Sequence, residues 1–496
     1  MKDKDVLSAL KYLSRVKREF MLSEIIGRVK SEVSLNEVYD IVMPRSFDLN
    51  IKLAKSGNDY KATVIAPKKR LELKNEEIKK IEASLKSFKV PDDLERLIEG
   101  FISKKVNKKW DDPVILDRIR SAIKSQKADY WKEGAQKRIS YEKGYDILGY
   151  LAYQFPVYFA QFQHIFYGMA IDGLLKTRMK ILDVGSGPGV VPLSIVDIYK
   201  KLDGMDAKIF ALELYDENIE AYMSLVPAYA SAMQNIEAEK PFKADLTKID
   251  IEKIPDNFDL IIFSNVLNEL AGLDIGQRAD IVISLSKKLS PDGNIMIIEP
   301  ADKVNSIEFR KLSIELKNKG LGIYSPCAFI WCTGCNPENC WSFEQKDDIK
   351  PTVLMKKLAD CEEPYRYMNT DIKYSYAILR KDDLTRVRYR VPPKARFARL
   401  SKLGDHVGKR INIVASLMSG DLGDKKYSLF KVCDGTSRKP VYVVLQKHNI
   451  TPDNEHILKA KYGEVLEMSN VLVRYNKEND AYNVLISNSS VVSPLE

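Results

Sequence analysis

The chain has no apolar run approaching the ~20 residues that a bilayer-spanning helix requires. The opening MKDKDVLSALKYLSRVKREF reads as an amphipathic helix with acidic residues from the third position onward, a pattern expected of neither a signal nor a transit peptide. No internal repeat or extended low-complexity segment occurs, which excludes a solenoid and leaves a modular architecture. Cysteine is scarce, six in 496 residues, and none precedes residue 327. So few thiols in a lysine-rich chain argue against a disulfide framework and for a reducing, cytoplasmic compartment, where clustered thiols serve as ligands.

Neither charge sign is strongly dominant: 78 Lys+Arg stand against 69 Asp+Glu, a net charge of +9. The excess matters because it is concentrated, in SKKVNKK at 103–109 and in RVRYRVPPKARFARLSK at 386–402. In the second run Tyr389, Phe397 and Pro392-Pro393 interleave with Arg386, Arg388, Arg390, Lys394, Arg396 and Arg399. Cations displace counterions from phosphates and aromatic faces stack on bases, so these six basic residues are the candidate RNA contacts. A solvated linker face is the alternative.

Hydrophobic periodicity divides the chain into five parts. Residues 1–70 show helical spacing in Val6, Leu10 and Leu13, in Leu22, Ile25, Ile26 and Val29, and in Leu35, Val38 and Val42. Two alternating strands follow, from Phe47 and from Tyr60, around the turn Ser56-Gly57-Asn58-Asp59, giving a winged-helix-like order. Residues 71–175 are helical and end in the aromatic run YLAYQFPVYFAQFQHIFYGM, where His164 reads as a packed core or cleft residue rather than a catalytic base. Residues 176–384 alternate strands (KILDV, KIFALEL, DLIIFSNV, GNIMIIEP) with amphipathic helices, the pattern of an α/β domain with a ligand crevice at the carboxyl ends of its strands. A basic linker, 385–404, leads to 405–496, where five strand-like pieces with the helix-like DNEHILKAKY between the third and fourth give the order of an OB-fold barrel.

Two chemical motifs stand out. Leu182-Asp183-Val184-Gly185-Ser186-Gly187-Pro188-Gly189 joins an apolar strand to a helix, and Glu213 ends the next strand, where a carboxylate accepts two ribose hydroxyl hydrogens. Asp245 falls where the following strand presents a group to an adenine amine. This constellation resembles the class I S-adenosylmethionine-dependent methyltransferases, whose Rossmann-like core it fits better than it fits the G-x-G-x-x-G dinucleotide fingerprint. Asp183, Gly185, Ser186, Gly187, Gly189, Glu213, Asp245 and Ser264 are the expected cofactor contacts. About 140 residues beyond the glycine loop, Cys327, Cys332, Cys335 and Cys340 lie within fourteen residues. From spacing alone, structural zinc and an iron-sulfur cluster are equivalent readings of that run.

With both motifs in view, residues from about 140 to 440 resemble the methyltransferase-like assembly proteins of the small ribosomal subunit, best known from mitochondria and with prokaryotic relatives. The matching pieces, in order, are the glycine loop, Ser264-Asn265-Val266-Leu267-Asn268-Glu269-Leu270, Ile298-Glu299-Pro300, Ser325-Pro326-Cys327, Cys340-Trp341-Ser342-Phe343, Lys373-Tyr374-Ser375-Tyr376 and Val432-Cys433-Asp434-Gly435. The resemblance implies a [4Fe-4S] cluster, with zinc as the alternative, and small-subunit rRNA as partner. It also implies three ligands from the central cysteine segment and one from the C-terminal barrel: Cys327, Cys340 and Cys433, with either Cys335 or Cys332 as the fourth; an entirely local set, Cys327, Cys332, Cys335 and Cys340, is the alternative. No membrane partner is expected, and the chain is expected to be a monomer when free.

Whether methyl transfer follows is open in the sequence. Amino-group methyltransferases acting on bases place an Asn/Asp-Pro-Pro-aromatic motif after the fourth strand, where this chain has Ser264-Asn265-Val266-Leu267. Base-carbon enzymes place a cysteine nucleophile there, and this chain has none. Asn265, Asn268 and Glu269 remain the candidates for holding an acceptor. Two readings of different classes stand, an rRNA methyltransferase and a binding factor that uses cofactor and metal for structure or sensing. A DNA-binding regulator led by the winged helix is the third.

Overall fold

The computed structural model describes residues 2–130, 144–233, 235–270, 272–332 and 334–495. The chain divides into two units, Met1–Leu71 with Leu175–Met179, and Glu72–Leu174 with Lys180–Glu496.

The first unit runs α1 (Lys2–Val16), β1 (Glu19–Met21), α2 (Ser23–Ile26), α3 (Leu35–Val42), β2 (Ile51–Ser56) and β3 (Asp59–Val64). Its antiparallel sheet has the order β1-β3-β2, completing a winged-helix arrangement. Val6, Leu10 and Leu13 of α1 close over Val38 and Val42 of α3 and the strand residues Ile51 and Ala62. Ser34 accepts from the Glu37 amide while Glu37 accepts from the Ser34 amide, a reciprocal cap that fixes where α3 starts. Gly57, at φ +62°, makes the hairpin turn. Two sequence expectations shift here: the helix around Leu22 is four residues long, and Phe47 and Leu49 lie before the strand rather than in it.

The second unit opens with α4 (Asn75–Lys86), α5 (Asp92–Val106), α6 (Pro113–Tyr130), α7 (Asp146–Tyr153) and α8 (Phe155–Ile171). The aromatic run is explained by packing: Phe155, Phe159, Phe162 and Phe166 recur at helical spacing on α8 and are fully buried. Phe166 meets Tyr199 of the following helix α9 (Val190–Tyr199).

The central sheet then forms from β4 (Arg178–Val184), β5 (Asp206–Glu213), β6 (Ile236–Ala238), β7 (Phe242–Lys243), β8 (Phe258–Ser264), β9 (Leu289–Pro300), β10 (Gly322–Ser325), β11 (Glu344–Lys346) and β12 (Ile372–Arg380). Helices α10 (Asp216–Ala230), α11 (Ile275–Ser286), α12 (Lys303–Asn318) and α13 (Val353–Leu358) complete this part. The strand order is β10-β12-β9-β8-β4-β5-β6. β4, β8 and β9 are parallel neighbours, as are β5 and β6, while β12 runs antiparallel between β9 and β10. One reversed strand inserted near the edge of an otherwise parallel doubly wound sheet is the class I methyltransferase fold. Every residue of β4 is buried, as a central parallel strand covered on both faces requires.

The last part contains β13 (Arg410–Leu417), β14 (Tyr427–Cys433), β15 (Val441–Gln446), β16 (Val465–Asn476), β17 (Ala481–Ile486) and β18 (Val491–Leu495). The order β13-β14-β15-β17-β16 closes through β13 pairing with β16, and β15 runs parallel to β17. This is a five-stranded OB-type barrel with β18 added along β16. The segment expected as a helix between the third and fourth strands forms only a short 3-10 turn, Glu455–Leu458. Asn454 ties its start by accepting from the Thr451 amide and donating to the carbonyls of Asn449 and Ser487.

Candidate cofactor site and cysteine pocket

The glycine loop follows β4 and is hung on the end of β5. The amides of Gly185 and Ser186 donate to the Leu212 carbonyl at 2.8 and 3.0 Å. Glu213 continues that anchoring: one carboxylate oxygen accepts from the Gly187 amide at 2.8 Å, and the other from Leu214 and Tyr215 at 2.8 and 2.9 Å. The residue expected to touch a ribose is therefore also the strut of the loop. Gly185, Gly187 and Gly189 have φ of +69°, +54° and +95°. A Cβ on Gly185 would lie 2.5 Å from a Val266 methyl, and one on Gly189 2.4 Å from a Val226 methyl. Nothing stands within 4 Å of a Cβ added to Gly187, so its requirement is the backbone conformation alone.

Around this loop lie polar atoms that the protein leaves unsatisfied. Both carboxylate oxygens of Asp183, the Ser186 hydroxyl and the side-chain carbonyls of Asn265 and Asn268 are buried without a hydrogen-bond partner. Such atoms are costly and mark a place where a polar ligand completes the network. Burial holds the Asp183 carboxyl far above the usual carboxylate range, and Glu213 adds to that rise. Ser264 ends β8, and Asn265 beyond it is left-handed at φ 55°, a conformation sparsely used outside glycine. Asp245 is committed to local structure: its carboxylate accepts from the Thr247 amide and hydroxyl, capping a short 3-10 turn. Glu269 faces two phenols that sequence reasoning did not single out, Tyr150 on α7 and Tyr158 on α8, whose rings meet edge-on at 6.1 Å. Burial raises both phenols above their usual range, and Glu269 raises them further. Their only signal in the sequence is the aromatic run itself.

The cysteines assemble at the junction of the methyltransferase domain and the barrel. Cys327, Cys335, Cys340 and Cys433 line one pocket with Arg310 and Asp434. Cys332 is exposed, outside that lining, on a left-handed residue at φ 52°, and Cys361 is elsewhere. The Cys433 sulfur accepts from the Gly435 amide at 3.3 Å. Burial pushes the Cys335 thiol up to about 12, helped by Cys327 and Cys340, and drives Cys433 well above its usual range, helped by Cys340 and Cys335. Two buried cations adjoin these sulfurs. Arg310 donates to the Tyr462 hydroxyl at 2.9 Å and to the Ser342 carbonyl, and Lys431 donates to the Trp341 carbonyl at 2.6 Å. Among the described residues no three His, Cys, Asp or Glu side chains form a group able to hold a single metal ion.

Residues 144–411, more than half of the chain, match the family described as mitochondrial small ribosomal subunit Rsm22. The chain belongs to that family. Flanking this Rsm22 region, residues 3–55 and 401–495 match the N-terminal and C-terminal domains of a family described as a domain of unknown function, DUF8157. No curated protein matches the chain in sequence. Solved structures similar to it include magnesium protoporphyrin IX methyltransferase from Synechocystis with bound SAH, at 9% identity and TM-score 0.29, covering 58% of this chain and 100% of that one. An O-methyltransferase family protein from Burkholderia thailandensis aligns at 11% identity and TM-score 0.25, covering 59% and 75%. Human N-acetylserotonin methyltransferase in complex with SAM aligns at 12% identity and TM-score 0.22, covering 60% and 76%. At such scores the fold of this Rsm22-family chain rests on its own strand order.

The basic linker is a packed strap. Val387, Tyr389, Val391 and Phe397 lie against Ala328, Ile330 and Trp331 of the cysteine segment and Val414 and Val465 of the barrel. The amides of Arg386 and Val391 donate to the carbonyls of Tyr324 and Ile330. Tyr389 and Phe397, expected to offer stacking faces, are partly buried in this packing. The six basic residues also separate. Arg386 pairs with Asp172 at 3.4 Å, and Arg390 turns back on the carbonyls of Val387 and Tyr389. Arg388, Lys394, Arg396 and Arg399 are exposed, the last with its guanidinium 4.7 Å from the Trp331 ring centre.

Proposed function

We propose that this protein is a small-ribosomal-subunit assembly factor of methyltransferase type, which binds S-adenosylmethionine at the glycine loop, carries a [4Fe-4S] cluster between its two C-terminal domains, and engages rRNA through the exposed face of the linker and the barrel. The observation that carries the reading is the meeting of Cys327, Cys335 and Cys340 with Cys433, ninety-three residues further on, in one pocket of a chain whose family is named for the small ribosomal subunit.

The thiol set alone suits a cluster or zinc, and the resemblance to the small-subunit assembly family is what favours the cluster. A zinc ion draws four donors to about 2.3 Å from one point. A cubane gives each iron its own thiolate, so its ligands ring a pocket rather than converge. Four thiolates in a buried site also need compensating charge, and the buried Arg310 guanidinium supplies it, while burial lowers the pKa of the Lys431 amine beside it. When bound, the cluster pins barrel to methyltransferase domain, because metal-binding free energy is then folding free energy.

S-adenosylmethionine carries a methyl group on a sulfonium cation. The buried, unsatisfied atoms of Asp183, Ser186, Asn265 and Asn268 suit a polar ligand, and the carboxylates of Glu213 and Glu269 nearby suit its positive charge. Binding is the primary role, since neither base-methylation motif follows β8. The enzyme reading keeps one supporting observation: the Asn265 and Asn268 carbonyls are free to orient an acceptor. The DNA-regulator reading loses ground, because α3, LNEVYDIV, offers Glu37 and Asp40 and no Lys or Arg to a phosphate backbone. Anaerobic purification with iron, sulfide and RNA analysis tests the proposal. Iron and sulfide with co-purifying small-subunit rRNA are expected, and stoichiometric zinc without iron overturns the cluster.

A further inference from the structure

Outside both sites, a cavity of about 320 Å³ opens in the second unit among α4, the C-terminal half of α8, the β11–β12 edge, the start of the linker and the turn before β16. No residue of the glycine loop or of the cysteine set lines it. His164 does, and its Nε2 is buried without a hydrogen-bond partner. Burial keeps that imidazole neutral down to a pKa of about 3, so the ring offers a hydrogen-bonding edge rather than a charge. Tyr167, Tyr376 and Tyr462 add flat aromatic surface.

The charges of the wall are mixed, and most are spoken for. Arg386 is paired with Asp172 and Lys346 with Glu344, while the Tyr167 hydroxyl donates to Glu82 at 2.9 Å. Lys86 and Lys461 are exposed on the wall, Lys461 close enough to Asp172 to favour its charged form, and Asp347 is a further acid there. A plain anion would meet four carboxylates here and a plain cation four basic groups. The complementary ligand has an anionic end for the two lysines, N–H or O–H donors for a carboxylate and the imidazole, and a flat ring for the tyrosines. The volume is that of a small-molecule site and excludes a folded strand of nucleic acid.

We propose that this cavity binds one nucleoside monophosphate, with the phosphate on Lys86 and Lys461, the base against Tyr167 and Tyr376, and a base edge on His164. The ligand is either a free nucleotide or a phosphorylated RNA end, which offer the same chemistry. This site is separate from the linker face proposed above for rRNA and uses different residues.

The test is calorimetric titration of the full-length protein with AMP, GMP, CMP and UMP and with the four parent nucleosides. At least one monophosphate is expected to bind more tightly than its nucleoside. The exposed-lysine double substitution Lys86→Ala/Lys461→Ala should weaken that binding by about tenfold or more, as charge-assisted hydrogen bonds disappear. His164→Phe should weaken it with or without phosphate. S-adenosylmethionine titrated into the same variants serves as the folding control and should be unchanged. A short oligoribonucleotide with a 5′-phosphate is then compared with its 5′-hydroxyl form. Phosphate-dependent competition assigns the site to RNA ends, and absence of competition assigns it to free nucleotides. Failure of all four monophosphates to bind, or binding untouched by the double substitution, overturns the proposal. Neither result bears on the linker, which is tested through Arg388 and Arg396.

Discussion

Glu213 is the position where the structure changes what a mutation means. In a purely ligand-binding role, Glu213→Ala would leave the apo protein intact and weaken S-adenosylmethionine by the value of its hydrogen bonds. Here the carboxylate already accepts from three backbone amides, those of Gly187, Leu214 and Tyr215. Each bond to a charged acceptor is worth about 1.5–3 kcal/mol, and the three are neither fully buried nor additive, so a decrease of about 3 kcal/mol in local stability is expected. Glu213→Gln keeps an acceptor for one side but turns an amide N–H₂ toward the other, so it should cost about half as much. The assay is amide hydrogen exchange at Gly187, Leu214 and Tyr215 in the cofactor-free protein, beside calorimetric titration with S-adenosylmethionine. Weaker protection at all three amides together with weakened binding is expected for Glu213→Ala, and an intermediate effect for Glu213→Gln. Unchanged protection in Glu213→Ala would refute the strut, and unchanged affinity would refute the placement of the cofactor.

Cys332→Ser should keep iron and colour after anaerobic purification, whereas Ser at Cys327, Cys335, Cys340 or Cys433 should lose both and loosen the barrel; iron loss in Cys332→Ser would contradict the pocket lining. Alanine at Arg388, Lys394 or Arg396 should flatten the salt dependence of RNA binding by about one unit of slope for each phosphate no longer neutralised. Arg386→Ala should instead lower thermal stability, because it strands Asp172; a changed salt slope with unchanged melting would reverse that assignment. His164 should give an acid-sensitive term. Its folded pKa of about 3 lies below the 6.5 of a free imidazole, with burial the main cause and Lys346 assisting. Its contribution is therefore complete above pH 6.5 and is lost as pH falls toward 3, at up to about 1.4 kcal/mol per pH unit. Denaturant midpoints measured across that window should fall less steeply in His164→Gln, and an equal slope in both proteins would remove His164 as the source.

The legible parts of this chain are those that local chemistry dictates. The glycine loop is readable because positive φ at Gly185 and Gly189, each against a valine methyl, admits no side chain. The long strands are readable because burial on both faces forces continuous apolar runs. The edge strands β6, β10 and β11, three or four residues each, are not: they exist through pairing with longer neighbours and carry no periodic signal of their own. The choice between Cys332 and Cys335 is equally hidden, since spacing counts residues and not direction. A left-handed turn at Cys332 faces that side chain away from the set Cys335 joins. The linker is the instructive miss, because its signal is present. Val387, Tyr389 and Val391 alternate strictly with Arg386, Arg388 and Arg390, and a period of two means one face buried and one exposed. Composition alone points to a nucleic-acid surface made of basic and aromatic residues together. The alternation divides them: the aromatic face fastens the strap to the cysteine segment, and only the opposite face is open to a phosphate backbone. Charge removal on that face should therefore weaken RNA binding without disturbing the domain junction, whereas Tyr389→Ala should loosen the junction and lower the melting temperature. A Tyr389→Ala protein that melts like the parent and binds RNA less well would restore the stacking reading.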